Sequence, residues 1–339
     1  FFSKQKTAYE IRNCDWSSDV CSSDLAADAL EGDGLGNGPL PIRLTLRNDG
    51  RSLVFDWRRS GPQARGSVNA NRSVVLAASV YALRCLCPTR LPTNEGLFGL
   101  LKVVTQPGTI VDPIAPAPVA GGNVETSQRL VDVCLQALRL AKPGAVPACS
   151  AGTMSNLSMG SSTANGARAF AFYETLPGGA GAGPRGPGRS AVQTHMTNTR
   201  NTPVEEMEHC YPLRVEALTV RRGSGGKGAR RGGDGIQKRL RAAQSMTATF
   251  LGERHHSGPP GAAGGGNGQP GALWREARGQ RKRLPSKCTV ALAAGEVLEV
   301  WTPGGGGHGR QGDGDPAKAH GVLQRMTPRP DLGCSGLAT

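Results

Sequence analysis

Glycine and proline recur so often in this chain, at 49 and 24 of its 339 residues, that few uninterrupted stretches remain from which regular elements can be built. Glycine weakens the interior of a helix or strand, and proline removes a backbone donor, so regular structure is confined to the intervals between them. From residue 150 onward those intervals are short, and 169–175, 213–220, 246–251, 288–292 and 297–301 each read as a strand. Ala293-Ala294-Gly295-Glu296 joins the last two as a tight turn. No strand-then-helix unit repeats at about thirty-residue spacing, which argues against a doubly wound parallel sheet. The expected fold is mixed α+β, helical near residues 70–142 and β-rich after 150, with glycine-rich turns.

Longer intervals survive upstream. Residues 40–57 read as a hairpin in which Ile42, Leu44 and Leu46 alternate with polar residues and Leu53, Phe55 and Trp57 alternate on the return. Asn48-Asp49-Gly50 supplies a turn that tolerates positive φ. Residues 73–86 are apolar nearly all round, the pattern of a buried helix, with Pro88 after it. A short strand at 100–104 and a proline-rich loop precede an amphipathic helix at 126–141. Leu130, Cys134, Leu138 and Ala141 share its apolar face, Thr126 or Ser127 can cap it, and Pro143-Gly144 stop it.

Residues 4–25, KQKTAYEIRNCDWSSDVCSSDL, match nothing downstream in composition and show neither a helical nor a strand period. In codons, Lys4 to Glu10 and Asp15 to Leu25 can each be written as a constant arm of a widely used short-read sequencing adapter. Eight bases are left between the arms, which suits a sample index. Residues 1–25 are therefore expected to be adapter-derived and disordered, and are excluded from fold reasoning as an expression tag would be. The folded unit is expected over 26–309. Residues 310–339 lack periodicity and read as a disordered or out-of-frame tail.

The net charge is +14. Its clusters, Arg221-Arg222, Arg230-Arg231 and Arg281-Lys282-Arg283, are short and mostly lie among glycines, and fifteen aromatic residues in the whole chain offer no stacking platform. Arg, Gly, Ala and Pro all use GC-rich codons, so genome composition accounts for the charge better than a nucleic-acid partner does. No apolar run reaches membrane-spanning length, and no basic segment leads into an apolar core as in a signal peptide. The cysteines after residue 25 are odd in number and irregularly spaced, and Cys85-Leu86-Cys87 is too tight for a zinc knuckle. Free thiols and a cytoplasmic location are expected, with no membrane and no nucleic acid as partner.

Several stretches invite a chemical reading. Gly223 to Gly228, GSGGKG, fails as a phosphate loop twice, because Arg221 stands where the first glycine is needed and Gly228 where Ser or Thr is needed. Gly178 to Gly183, Gly264 to Gly268 and Pro303 to Gly307 read as bends or bulges rather than ligand cradles. Thr194 to Pro212, THMTNTRNTPVEEMEHCYP, is the densest in polar chemistry. Glu205 and Glu208 would share a face if 204–209 were helical after Pro203, as an acid–base or cation-binding pair. The competing reading is a polar loop leading into a short helix with acidic residues near its start. His255 and His256 are adjacent, so on a strand they would point opposite ways and could not easily share a metal.

Taken together, the runs GPQARGSVNA, PTNEGLFGLLKV, PGTIVDP, PAPVAGGNVETSQRLVDV, GTMSNLSMG, GGAGAGP, THMTNTRNTPVEEMEHCYPLRV, RRGSGGKGARRGGDGI, LGERHHSGPPGAAGGGNG and TPGGGGHG resemble the hydantoinase B/5-oxoprolinase family, in order and with sensible spacing. The resemblance covers about residues 49–309 and is to the C-terminal portion of the family. It implies the B component of an ATP-dependent hydrolase that opens a cyclic amide such as a hydantoin or 5-oxoproline. ATP and Mg²⁺ would enter through an A-type ATP-binding subunit as partner. The B-type component of a ketone carboxylase, and a non-catalytic fragment that binds its A component, are the alternatives. The family's metal-binding His and Asp motifs belong to the half that this span does not match, so a divalent metal is not expected here and the chain alone is expected to be inactive. Motif-matched polar positions are Asn69, Asn94, Glu125, Asn156, His195, Asn198, Glu205, Glu208, Arg231 and Asp234. Of these, His195, Asn198 and Glu205 are expected as catalytic, and Glu125, Asn156, Glu208 and Arg231 as substrate-binding.

Overall fold

The computed structural model describes residues 24–87, 92–142, 144–162 and 169–312. The adapter reading of 1–23, the stops at Pro88 and Pro143, and the tail from 313 onward lie outside them. Asp24 and Leu25, counted with the adapter by the sequence, are the first residues of strand β1.

The first half builds one sheet in the order β1-β2-β3-β4, from Asp24–Leu30, Leu40–Asn48, Leu53–Asp56 and Leu101–Val104. The expected hairpin is β2–β3: Asn48 pairs with Leu53 and Thr45 with Asp56. Ile42, Leu44, Leu46, Phe55 and Trp57 are fully buried, as the alternation requires. β4 then joins β3 in parallel. Helices α1 (Arg72–Leu86) and α3 (Ser127–Ala141) pack on each other, and α3 lies on β1 and β2. Between them comes the single turn α2 (Glu95–Phe98), capped by the Asn94 side chain on the Gly96 and Leu97 N–H groups. Asn69 serves the same layer as a clamp, bonding the backbone of Ala64, Gly66 and Pro118.

Two expectations about the helices exchange places. α1, read as buried all round, leaves Ala77, Arg84 and Cys85 exposed. α3, read as amphipathic, is buried at every position from Ser127 to Leu135, including Gln128, Arg129 and Asp132. Its polar face meets counter-charges rather than water. Thr126 is not a cap either. A π-helical turn, Gly122–Thr126, runs straight into α3, and the Thr126 hydroxyl bonds the Val68 carbonyl instead.

The second half is a β-sandwich. One sheet, in the order β12-β9-β5-β6, uses Lys287–Leu292, Met246–Leu251, Asn156–Ser161 and Phe170–Thr175. The other, β11-β10-β13-β8-β7, uses Gln280–Leu284, Ala272–Ala277, Val297–Trp301, Ile236–Ala242 and Leu213–Val220. Leu157, Met159, Phe172, Met246 and Phe250 from the first close over Leu240, Leu273, Leu298 and Val300 from the second. Met207, from the short helix α4 (Val204–Cys210), seals one end. The turn at 293–296 forms, with Gly295 at φ +87°, but it passes the chain from one sheet to the other instead of making a hairpin.

The glycine runs are mostly not bends. Gly304 and Gly307 donate to Gln269 and Gly266, Gly305 and His308 donate to Gly233 and Arg230, and Gly306 turns to Cys149. Donors three residues apart therefore serve the same neighbouring segment, the period of an extended polyproline II-type helix and not of a strand. The runs at 178–192, 224–235, 258–271 and 302–309 form a bundle of such segments, cross-linked on several sides. Only glycine permits the spacing: a Cβ on Gly232 would overlap the Gly305 carbonyl oxygen, and one on Gly305 would overlap that of Ala180. Gly223 and Gly264, with φ of +89° and +84°, do turn the chain.

Candidate functional site

Where α3 meets the sandwich, a set of charged side chains is shut away from water. Arg129 and Asp132 stand one turn apart on α3 and are 1% and 0% exposed. Arg129 reaches Asp28 of β1 at 3.0 Å and Glu253 at 3.1 Å. Arg254 reaches the same Asp28 oxygen at 2.7 Å and Asp132 at 2.9 Å. Lys287, at the start of β12, bonds Glu253 and the Gly252 carbonyl. Residues 252–255 leave β9 irregularly, with Arg254 at φ +63°, which buries Glu253, Arg254 and His255 together. The strand geometry expected there does not apply.

Three cations face three carboxylates, so the cluster is balanced before Glu125 is counted. Burial alone would raise the Asp28 carboxyl, but Arg129 and Arg254 outweigh it and hold it below its ordinary value. Burial likewise opposes the Arg254 charge, and Asp132 and Asp28 overcome it. Glu125 has no such cation in contact. It sits in the π-helical turn, fully buried, and burial pushes its carboxyl up to about 8, with the neighbouring Glu253 adding to the shift. Its Oε1 accepts from the Met154 N–H at 3.0 Å and from Asn156 Nδ2 at 2.7 Å. Oε2 has no hydrogen-bond partner among the described residues. Burial thus favours the protonated, neutral form of Glu125, against the Thr153 hydroxyl and the Lys287 charge, which both lower its carboxyl. Asn156 is locked in turn: Nδ2 also donates to the Leu251 carbonyl, and Oδ1 accepts from the Tyr173 hydroxyl at 2.6 Å. A cleft of about 380 Å³, lined by Glu31, Asn37, His256, Ser286 and Lys287 among others, opens beside the cluster.

Glu125 and Asn156 thus stand in contact, as two of the polar positions expected at a pocket. The others are placed elsewhere. His195 holds a strained backbone, φ +59°, with Nδ1 3.3 Å from the Tyr81 hydroxyl and Nε2 buried without a partner. Burial lowers its imidazole, against the pull of Asp132. Asn198 and Glu205 are exposed and neither is hydrogen-bonded to His195. Helix α4 forms as expected, but Glu208 accepts from the Val215 N–H at 2.8 Å and ties α4 to β7 instead of facing a ligand with Glu205. Arg231 pairs with Asp234 at 2.5 Å, and Asp234 also accepts from Gly225 N–H, so this pair braces the glycine bundle. Among the described residues no group of three or more His, Cys, Asp or Glu side chains is arranged to hold a metal ion.

Sequence reasoning missed Asp28, Arg129, Asp132, Glu253, Arg254 and Lys287. One signal was available. Arg129 and Asp132 sit three apart in a helix flanked by apolar residues on nearly every side, which is costly unless both are paired.

Comparison with known proteins follows the same outline. The Hydantoinase B/oxoprolinase family profile matches residues 11–311. A 5-oxoprolinase of Dictyostelium discoideum is 40% identical over 273 residues, 80% of this chain and 21% of that protein. The chain therefore spans about a fifth of the length of such curated relatives. Among solved structures, the ATP-dependent caprolactamase from Pseudomonas jessenii superposes with a TM-score of 0.74 at 21% identity, covering 96% of this chain and 57% of that one. An acetone carboxylase superposes with a TM-score of 0.72 at 16% identity, covering 95% and 49%. At these identities the two structures share the fold.

Proposed function

Because the chain belongs to the hydantoinase B/oxoprolinase family, we propose that it is part of the B component of an ATP-dependent enzyme that opens a cyclic amide, a hydantoin or 5-oxoproline. The observation that carries this reading is the 40% identity to a 5-oxoprolinase across four-fifths of the chain. ATP and Mg²⁺ belong to an A-type partner, since GSGGKG lies at a turn and in the glycine bundle and offers no phosphate loop. Ring opening leaves an amide nitrogen that must gain a proton. Glu125 is suited to exchange one near neutral pH, because burial pushes its carboxyl up to about 8. Asn156 and Tyr173 fix the orientation of that carboxyl.

The test is a chimera in which residues 26–309 replace the matched span of the Dictyostelium 5-oxoprolinase. The reading expects ADP release that depends on 5-oxoproline or a hydantoin, with stoichiometric ring opening. A folded chimera that hydrolyses ATP only with a ketone and bicarbonate would transfer the assignment to the carboxylases. A folded chimera inert to all of these would reject both.

A further inference from the structure

The cleft beside the charge junction has one charge left over. Its wall at residues 32–38 is braced by Asp33, whose carboxylate accepts from the N–H groups of Leu35, Asn37 and Gly66. Glu31 lines it together with Asn37, His256, Ser286 and Lys287, and the Glu31 N–H is fixed on Glu253 at 3.0 Å. Glu31 Oε1 accepts from the His256 N–H at 2.6 Å, while Oε2 has no partner among the described residues. No cation among them stands at ion-pair distance from Glu31, whereas Arg129, Arg254 and Lys287 are already matched by Asp28, Asp132 and Glu253. Lys287, with its side chain 6% exposed, commits two of its three protons to Glu253 and the Gly252 carbonyl and keeps one.

At about 380 Å³ the cleft has the size of a small-molecule site. A ligand that completes it carries a cationic donor for Glu31 and an anion for Lys287, Ser286 and His256, which is the pattern of an amino acid zwitterion. Lys287 also ties the cleft to Glu125, since its charge pulls that carboxyl down. In the ATP-driven reaction proposed above, opening 5-oxoproline breaks the ring C–N bond and places the water oxygen on the former carbonyl carbon. It leaves a carboxylate and an amine that is protonated at neutral pH, so the product, glutamate, has the ammonium that the closed ring lacks. Opening a hydantoin leaves the amine carbamoylated and uncharged, with no cation for Glu31 to hold.

We propose that this cleft holds the open-chain product as a zwitterion, its ammonium on Glu31 and a carboxylate on Lys287 and Ser286, which makes 5-oxoproline rather than a hydantoin the ring opened. The identity of the ligand rests on the ring-opening reading, and the charge pattern rests on the cleft alone. Isothermal titration calorimetry of the full chain, without ATP or partner, takes L-glutamate, 5-oxoproline, glutarate and N-carbamoyl-L-glutamate as probes. Glutamate should bind, and the other three, which lack the ammonium, should bind roughly tenfold or more weakly. Glu31→Gln keeps the acceptor for the His256 N–H and removes the charge, so it should bring glutamate down to the level of glutarate with an unchanged melting temperature. Undetectable glutamate binding, equal binding of glutarate, or undiminished binding by Glu31→Gln would overturn the proposal. The chimera described above separates it from the reading on which it rests. Ring opening by a chimera whose cleft ignores glutamate overturns this proposal alone. Selective glutamate binding beside a folded chimera inert to 5-oxoproline overturns the ring-opening reading and leaves the zwitterion site standing.

Discussion

Glu125 shows how one residue can differ from neighbours of the same chemistry. Asp28, Asp132 and Glu253 are buried carboxyls with a cation at hydrogen-bond distance, whereas the donors around Glu125 are neutral: the Met154 and Asn156 amides, and the Thr153 hydroxyl, which works against the upward push of burial. Its pH linkage has a definite sign. With the folded carboxyl at about 8 and the ordinary value at 4.5, the native state holds a proton that the unfolded state has released throughout that interval. Stability must therefore fall as pH rises across it, by up to about 1.4 kcal/mol per pH unit. Glu125→Gln keeps the acceptor for Met154 and Asn156 and removes the titration. Urea midpoints of the two proteins at pH 5.5 and pH 7.5 should diverge, with the variant gaining on the wild type at the higher pH. Parallel behaviour would mean that the carboxyl is ionised in the fold. Neither this shift nor the orphaned Oε2 was legible in the sequence. The residue itself was, because it falls within a matched motif, but its burial depends on Thr153 to Asn156 arriving from 28 to 31 residues away.

At the scale of elements, two devices hold the second half together, and both invert what composition suggests. The first is an ion pair inside the sandwich: Lys238 of β8 and Glu174 of β6 are 1% and 4% exposed and bond each other between the sheets. Glu174 also accepts from the Thr202 N–H at 2.8 Å, so the pair anchors the segment that leads into α4. Glu174→Gln strands a buried ammonium and should cost about 3–5 kcal/mol, whereas Glu174→Gln/Lys238→Met should recover most of it. A chemical-denaturation cycle on the two single variants and the double measures this, and additive losses would contradict it. The second device is the glycine bundle. Gly232→Ala must push against the Gly305 backbone and should destabilise by at least about 1–3 kcal/mol. Gly186→Ala meets nothing within 4 Å and should change stability by less than about 1 kcal/mol. Equal melting temperatures for the two would remove the packing argument. Strand positions such as 213–220 and 246–251 were readable because alternation is local. The bundle was not, because a glycine run looks alike whether it bends or packs, and the difference lies in which distant carbonyl each N–H meets.

For the molecule as a whole, the charge junction couples the helical layer to the sandwich, and the fold shared with the caprolactamase extends across it, over 96% of this chain. Arg129 spans the joint from α3 to β1 and to the loop after β9. Arg129→Met leaves Asp28 and Glu253 short of a cation and should cost about 3–5 kcal/mol. Because the joint is shared, amide exchange should quicken in both 127–141 and 246–251, and a change confined to α3 would show the halves to be independent. The mixed α+β class and the separation of a helical first half from a β-rich second half were legible, since each follows from local pattern. The joint was not, since its members come from residues 28, 125, 129, 132, 253, 254 and 287, and only folding brings them together. The central claim is that this joint encloses three balanced ion pairs and one neutral acid. Isotope-edited infrared spectroscopy of the glutamate carboxyls tests it most directly. A protonated-carboxyl band should persist at pH 7, titrate near 8 and vanish in Glu125→Gln. A wild-type spectrum with every glutamate ionised at pH 6 would contradict the account.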